Sequence, residues 1–125
     1  MRHCLINVEE SGLHDDSYQI EIVVLHKGNL YEWLIAPIDG WTHWDKAAEM
    51  ECHSLSRETT ITKGINASFV ANTLNSLLCG TTVYSDASAW NEKRINRLLL
   101  DSGITQAFPV HPIQDLISPI SSHTI

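Results

Sequence analysis

The chain is poor in the features that usually betray a secreted, membrane-bound or nucleophile-driven protein. It has three cysteines, Cys4, Cys52 and Cys79, odd in number and far apart, with no CxxC or CxxH pair. That spacing excludes a disulfide framework and a zinc site of the finger type, and points to reduced thiols in the cytoplasm. No apolar run approaches the ~20 residues needed to cross a bilayer. The opening residues, Met1 to Asn7, are broken by polar side chains and do not read as a signal peptide. The six glycines are scattered singly, so no phosphate-cradling loop is present. Neither a Gly-x-Ser-x-Gly motif nor a Cys–His pair in a supporting context occurs. Basic residues are scarce: 8 Lys and Arg stand against 15 Asp and Glu, a net charge of −7. Bulk charge therefore argues against wrapping duplex DNA.

What is present is one domain's worth of chain, 125 residues, with 43% hydrophobic residues and a mean hydropathy of −0.09. This excludes a disordered tail, a collagen-like repeat and a coiled coil. No internal repeat, low-complexity tract or linker interrupts it. The acidity is uneven, because residues 1–62 hold eleven acids and four bases while residues 63–125 hold four of each.

Cys4 to Val8 is a short apolar run that reads as a buried strand, followed by turn chemistry over Ser11–Ser17. Tyr18 to His26 is rich in β-branched residues and predicts a second strand. Lys27-Gly28-Asn29 is a hairpin signal, which makes Leu30 to Ala36 a third strand, antiparallel to the second. Asp45 can cap a short helix to about Glu51, and Ser56-Arg57-Glu58 reads as a turn. Asn66 to Leu78 predicts a helix with Asn66 as cap, Gly80 as stop and an apolar stripe of Phe69, Val70, Thr73, Leu74, Leu77 and Leu78. Thr81 to Ser85 reads as a fourth strand. Ala89 to Leu100 predicts another helix, with Trp90, Ile95, Leu98 and Leu99 inward and Lys93, Arg94 and Arg97 outward. Phe108-Pro109-Val110 is a candidate edge strand, since proline is tolerated there. Ile113 to Ile117 has room for one helical turn among the prolines; otherwise the last fifteen or so residues read as irregular. An antiparallel meander followed by a βα unit predicts an α/β domain with a mixed sheet and packed helices.

Several segments in this order resemble the DEDD-type 3′–5′ exonucleases of the ribonuclease H-like superfamily. Ile6-Asn7-Val8-Glu9-Glu10-Ser11-Gly12-Leu13 is similar to the first motif, Asp-x-Glu on the first strand followed by a Thr/Ser-Gly-Leu turn. Val83-Tyr84-Ser85-Asp86-Ala87-Ser88-Ala89-Trp90-Asn91 resembles the second, a strand running into a helix with an aspartate after an aromatic residue. Cys52-His53-Ser54-Leu55-Ser56-Arg57-Glu58 resembles the intervening His-Gly-Ile-Ser/Thr segment. The resemblance spans roughly residues 2–118 and implies a ribonuclease H-like core. It also implies a site where four carboxylates hold two divalent ions, which activate water and stabilise the leaving oxygen of a phosphodiester.

The chain departs from that pattern where the charge matters most. Asn7 and Asn91 stand at the positions of two aspartates, and only Glu9 keeps its carboxylate. His111 and Asp115, four apart with Pro112 between them, are no match for the family's final His/Asp helix. An amide oxygen can coordinate a metal but brings no charge. The family-equivalent metal positions Asn7, Glu9 and Asn91 therefore predict a remnant site, with Glu10 and Asp86 as its nearby acids and His53 as a candidate positioning histidine. Glu9, Glu10 and Asp86 also read as surface acids or turn and cap residues, and His53, beside Cys52 and Glu51, as a hydrogen-bonded structural residue.

The candidate nucleic-acid contacts are Lys93, Arg94 and Arg97, with Trp41 and Trp44 flanking His43 as rings able to stack on bases. Their alternatives are the solvated face of a helix and packing against the sheet. The expected function is a catalytically inactive exonuclease-like domain that acts as a protein-interaction or oligomerising module. No cofactor is expected, or Mg²⁺ or Mn²⁺ if the site is active. The expected partner is a second copy or another protein, across the sheet face that a missing final helix would leave open. A metal-dependent 3′–5′ exonuclease and a non-catalytic single-strand binder are the alternatives. No membrane contact is expected.

Overall fold

A computed structural model describes residues 3–12, 16–86 and 88–116. Five strands, β1 (Cys4–Glu10), β2 (Gln19–His26), β3 (Asn29–Leu34), β4 (Val83–Ser85) and β5 (Val110–Pro112), form one sheet in the order β3-β2-β1-β4-β5. β1, β2 and β3 pair antiparallel, while β4 and β5 join parallel to β1 and to each other. The expected mixed sheet of a ribonuclease H-like domain, a meander plus a parallel βα unit, is the one observed.

Local chemistry explains the elements. Lys27 and Gly28 both have positive φ (51° and 79°), so the β2–β3 connection is a two-residue loop whose twist matches the strands it joins. Asp45 accepts a hydrogen bond from Ala47 N and opens α1 (Lys46–Ala48), which continues as a π-helical turn, Glu49–His53. The Ser56-Arg57-Glu58 segment, expected to be only a turn, begins a full helix, α2 (Arg57–Lys63). Ser56 Oγ accepts from Thr59 N and supplies the N-cap that makes this short helix viable. α3 (Ala67–Leu78) is capped by Asn66 as expected, through Phe69 N at 3.1 Å. The stripe it buries is Ala67, Val70, Ala71, Leu74 and Leu78; Phe69, expected inside, is 59% exposed, because the side of α3 that carries the small alanines at 67 and 71 is the buried one. α4 (Ser88–Asp101) buries Asn91, Arg94, Ile95, Leu98 and Leu99. The second edge strand falls two residues later than expected, and Ile113–Leu116 forms a 3-10 turn. Ile117, the end of the expected turn, lies outside the described residues.

Strand alternation sorts the sheet into two faces. Ile6, Val8, Ile20, Ile22, Val24 and Trp33 join Val70, Leu74, Ile95 and Leu98 of the helices in one core. Leu5, Asn7 and Glu9 of β1 point the other way, opposite Leu25, Val23 and Glu21 of β2. A register shift between Glu9 and Glu10 then sets Glu10 opposite Gln19.

The chain leaves β3 through a pinned crossing. Ile35 and Ile65 form a parallel bridge, with Ile65 N donating to Leu34 O and Ala36 N to Ile65 O. Gly64 lies so close to the backbone of Ala36, Ile35 and Thr60 that a Cβ there would overlap all three. Among the described residues no helix is long and apolar enough to cross a membrane.

Candidate functional site at the end of the first strand

The residues singled out by motif lie in separate places: Asn7, Glu9 and Glu10 on β1, divided between the two faces of the sheet, Asp86 and Asn91 at the β4–α4 junction, and His53 beside Trp44. Asn7 and Glu9 lie on the face away from α4, which stays open among the described residues, Asn7 exposed and Glu9 half-buried. Glu9 stands directly across from Glu21, and burial followed by the Glu21 carboxylate raises its pKa above the usual carboxylate range.

Glu10 points toward α4. Its Oε2 accepts a hydrogen bond from Trp90 Nε1. The guanidinium of Arg94 lies 4.1 Å from the centroid of the Trp90 ring. Burial raises the Glu10 pKa, opposed by the Trp90 hydrogen bond and the Arg94 charge, with Glu9 adding a smaller upward push. Glu10 Oε1 is buried without a hydrogen-bond partner, as are both polar atoms of Gln19 across the register shift.

Arg94, expected on a solvated helix face, is 1% exposed. The reason is the i, i+4 spacing of Trp90 and Arg94, which stacks both on the side of α4 facing Glu10. Arg97, also expected outside, is half-buried; its Nη1 donates to the carbonyls of Asp16 and Ser17, and its Nε pairs with Asp101 at 3.5 Å. Of the three, only Lys93 stays on the exposed side.

Asn91 and Asp86 meet at the β4–α4 junction. Asn91 Nδ2 donates to Ser85 Oγ (2.6 Å) and to the Asp86 carbonyl (2.9 Å). This amide holds the strand-to-helix corner closed, and the Asp86 side chain is exposed.

The two tryptophans do not present free rings. Trp41 is 2% exposed, stacks on Tyr18 at 5.2 Å and donates from Nε1 to Asp101. Arg57 ties the same corner by donating to Tyr18 Oη and Trp41 O. Trp44 donates to Glu49 Oε1 and meets His53 edge-on at 5.4 Å. His53 Nδ1 accepts from Leu55 N, so the ring proton resides on Nε2, which is buried without a partner. Burial lowers the His53 pKa, with Glu49 opposing. The side chains of Glu51 and Cys52, the neighbours that suggested a metal reading, lie outside the described residues, as does Leu13 of the first motif. The Ser11–Gly12 turn packs on the loop before α1, with Asp45 N donating to Ser11 O and Gly12 against His43. His111 and Asp115 form an exposed pair at 3.9 Å on and after β5.

Sequence reasoning undervalued two residues. Glu21 owes its place opposite Glu9 to the β1–β2 register, which no short motif shows. The spacing of Arg94 from Trp90 puts the two on one side of α4, but the sequence does not show that this side is buried. The Mg²⁺ or Mn²⁺ pair implied by the resemblance is a poor match for this donor set. The three family positions supply one carboxylate and two uncharged amides; of the further carboxylates, Glu21 faces Glu9 from β2, and Glu10 is bound to Trp90 on the other face.

No family model and no curated protein sequence matches the chain. Solved structures do match its fold. Exonuclease I of E. coli in complex with a dT13 oligonucleotide superposes with a TM-score of 0.74 at 11% identity, over 92% of this chain and 28% of that one. The exonuclease I/SSB-Ct complex gives 0.76 at 11% identity, over 92% and 29%. A moderately thermophilic exonuclease I from Methylocaldum szegediense gives 0.73 at 9% identity, over 91% and 28%. The chain thus spans under a third of the length of these neighbours, and what it shares with them is the ribonuclease H-like fold of an exonuclease.

Proposed function

We propose that this chain is a non-catalytic domain of exonuclease fold that serves as a protein-interaction module. The observation that carries the reading is the Asn91 amide, bonded to Ser85 and Asp86 where the resemblance calls for a metal-binding aspartate. Two divalent ions bring four positive charges together, and the family positions here offer one negative charge in return. Glu9 and Asp86 are remnants of the site, and no resident metal is expected.

Incubation with a fluorescent single-stranded oligonucleotide and Mg²⁺ or Mn²⁺ should release no nucleotides, and Mn²⁺ should leave the melting temperature unchanged. Metal-dependent release from the 3′ end that Glu9→Gln abolishes would instead establish an exonuclease with an altered site. A second reading, single-strand binding without cleavage, draws on the neighbours solved with oligonucleotides and on Lys93 and Arg97 of α4. Oligonucleotide anisotropy at two salt concentrations tests it, since binding through phosphate weakens with salt.

A further inference from the structure

We infer that the face of the sheet left open among the described residues docks a basic amphipathic helix of another protein. This rests on the interaction-module reading and gives that module a place and a partner chemistry. The strand register lays the face out as a grid. Leu5, Leu25 and Leu30 form one row across β1, β2 and β3; Asn7, Val23 and Glu32 form the next; Glu9, Glu21 and Leu34 form the third. Leu25 and Leu30 are 39% and 62% exposed. Beside the leucine row a groove of about 330 Å³ is lined by His3, Leu5, Leu25, Gly28, Ile113 and Leu116. The face is therefore apolar at the start of β1 and acidic at its end.

Charge selects the occupant. Glu9, Glu21 and Glu32 stand within two rows of one another, and among the described residues none has an ion pair or a side-chain hydrogen bond. Glu9 and Glu21 oppose each other directly, an arrangement that costs stability until a cation lies over it. Shape selects a helix. An uncovered sheet face in an α/β domain is ordinarily closed by helices. Rows about 7 Å apart on strands about 4.8 Å apart make a surface that a helix of about 12 residues, roughly 18 Å long, can span. Its apolar stripe would sit on the leucine row, and its lysines or arginines on the glutamates.

The test uses the whole chain and two synthetic helical peptides. One has a leucine stripe flanked by lysines, and its twin carries glutamates in place of the lysines. Anisotropy should show saturable binding of the lysine peptide, weakened by salt, and none of the glutamate peptide at the same concentrations. Amide chemical-shift changes should cluster on β1, β2 and β3. The triple variant Glu9→Gln, Glu21→Gln, Glu32→Gln and the single variant Leu25→Asp should each weaken binding about tenfold or more, with melting curves confirming that each is folded. If Leu25→Asp fails to fold, the glutamine variant alone decides.

Equal binding of both peptides, no binding of the lysine peptide, or shifts on another surface overturns the inference. So does a dimer in sedimentation that buries Leu25 and Leu30, which gives the face to a second copy. Binding that appears only after removal of residues 117–125 gives it to the chain's own end. Failure of the peptide arm leaves the non-catalytic reading standing, whereas metal-dependent nucleotide release overturns that reading without touching the peptide result.

Discussion

The two faces of this sheet are built from alternate residues of the same strands, yet they are held to different standards. On the covered face, Ile6, Val8, Ile22 and Val24 are nearly solvent-free against α3 and α4, and even a charge, Arg94, is sealed in with Trp90 and Glu10 as neighbours. On the other face, leucines stand in water and two glutamates confront each other. The difference separates what folds the chain from what the folded chain has left to offer.

Mutation should break that contrast in a graded way. Arg94→Met removes the buried cation beside the half-buried Glu10 and should cost about 3 kcal/mol, read from the denaturant midpoint. Adding Glu10→Gln should return part of the loss, because no uncompensated carboxylate then remains. Leu98→Ala opens a cavity between α4 and the sheet and should cost about 2–5 kcal/mol. Asn66→Ala removes the α3 cap and should cost about 1 kcal/mol. Leu25→Ala on the uncovered face should stay within about 0.5 kcal/mol of wild type. A large loss there would mean that the face is already covered.

Acidity sharpens the same comparison. Glu9 has a raised pKa in the folded chain, so the folded state holds its proton longer than the unfolded one. Its contribution is complete below the ordinary carboxylate range and is lost as pH rises through the raised value. His53 has a lowered pKa, so its contribution is present above the ordinary imidazole range and is lost as pH falls through the lowered value. Urea midpoints from pH 4 to 8 should show both trends. Glu9→Gln should reduce the fall in midpoint as pH rises out of the acid range, Glu10 supplying the rest, and raise the melting temperature at neutral pH by relieving Glu21.

Much of this architecture was legible in the sequence. The Lys27-Gly28 turn, the caps at Asp45 and Asn66 and the apolar and β-branched runs of the first two strands are local signals, and each formed where its residues called for it. α2 was missed because its apolar content is slight and its stability comes from the Ser56 cap and Thr60 packing beneath it. Phe69 was misplaced because an apolar stripe could be drawn through either side of α3, and only tertiary packing chose between them. At the site, Asn7 and Asn91 were legible as departures from a charge pattern. The burial of Arg94 was not, since helical spacing shows which residues share a side but not which side meets the sheet. The opposition of Glu9 and Glu21 depends on a register across two strands that no short motif encodes.

The bridge from Ile65 to Ile35 has a bearing on solubility. β3 is an edge strand, and an edge strand offers free backbone groups to any other chain that can lie alongside it. By occupying the Leu34 carbonyl and the Ala36 amide, Ile65 shortens the stretch on which a foreign strand could register. It can do so only while Gly64 lets the crossing approach that closely. A side chain at position 64 would lever the crossing away and lengthen the free edge. Its first symptom would be aggregation on standing, ahead of any loss of fold.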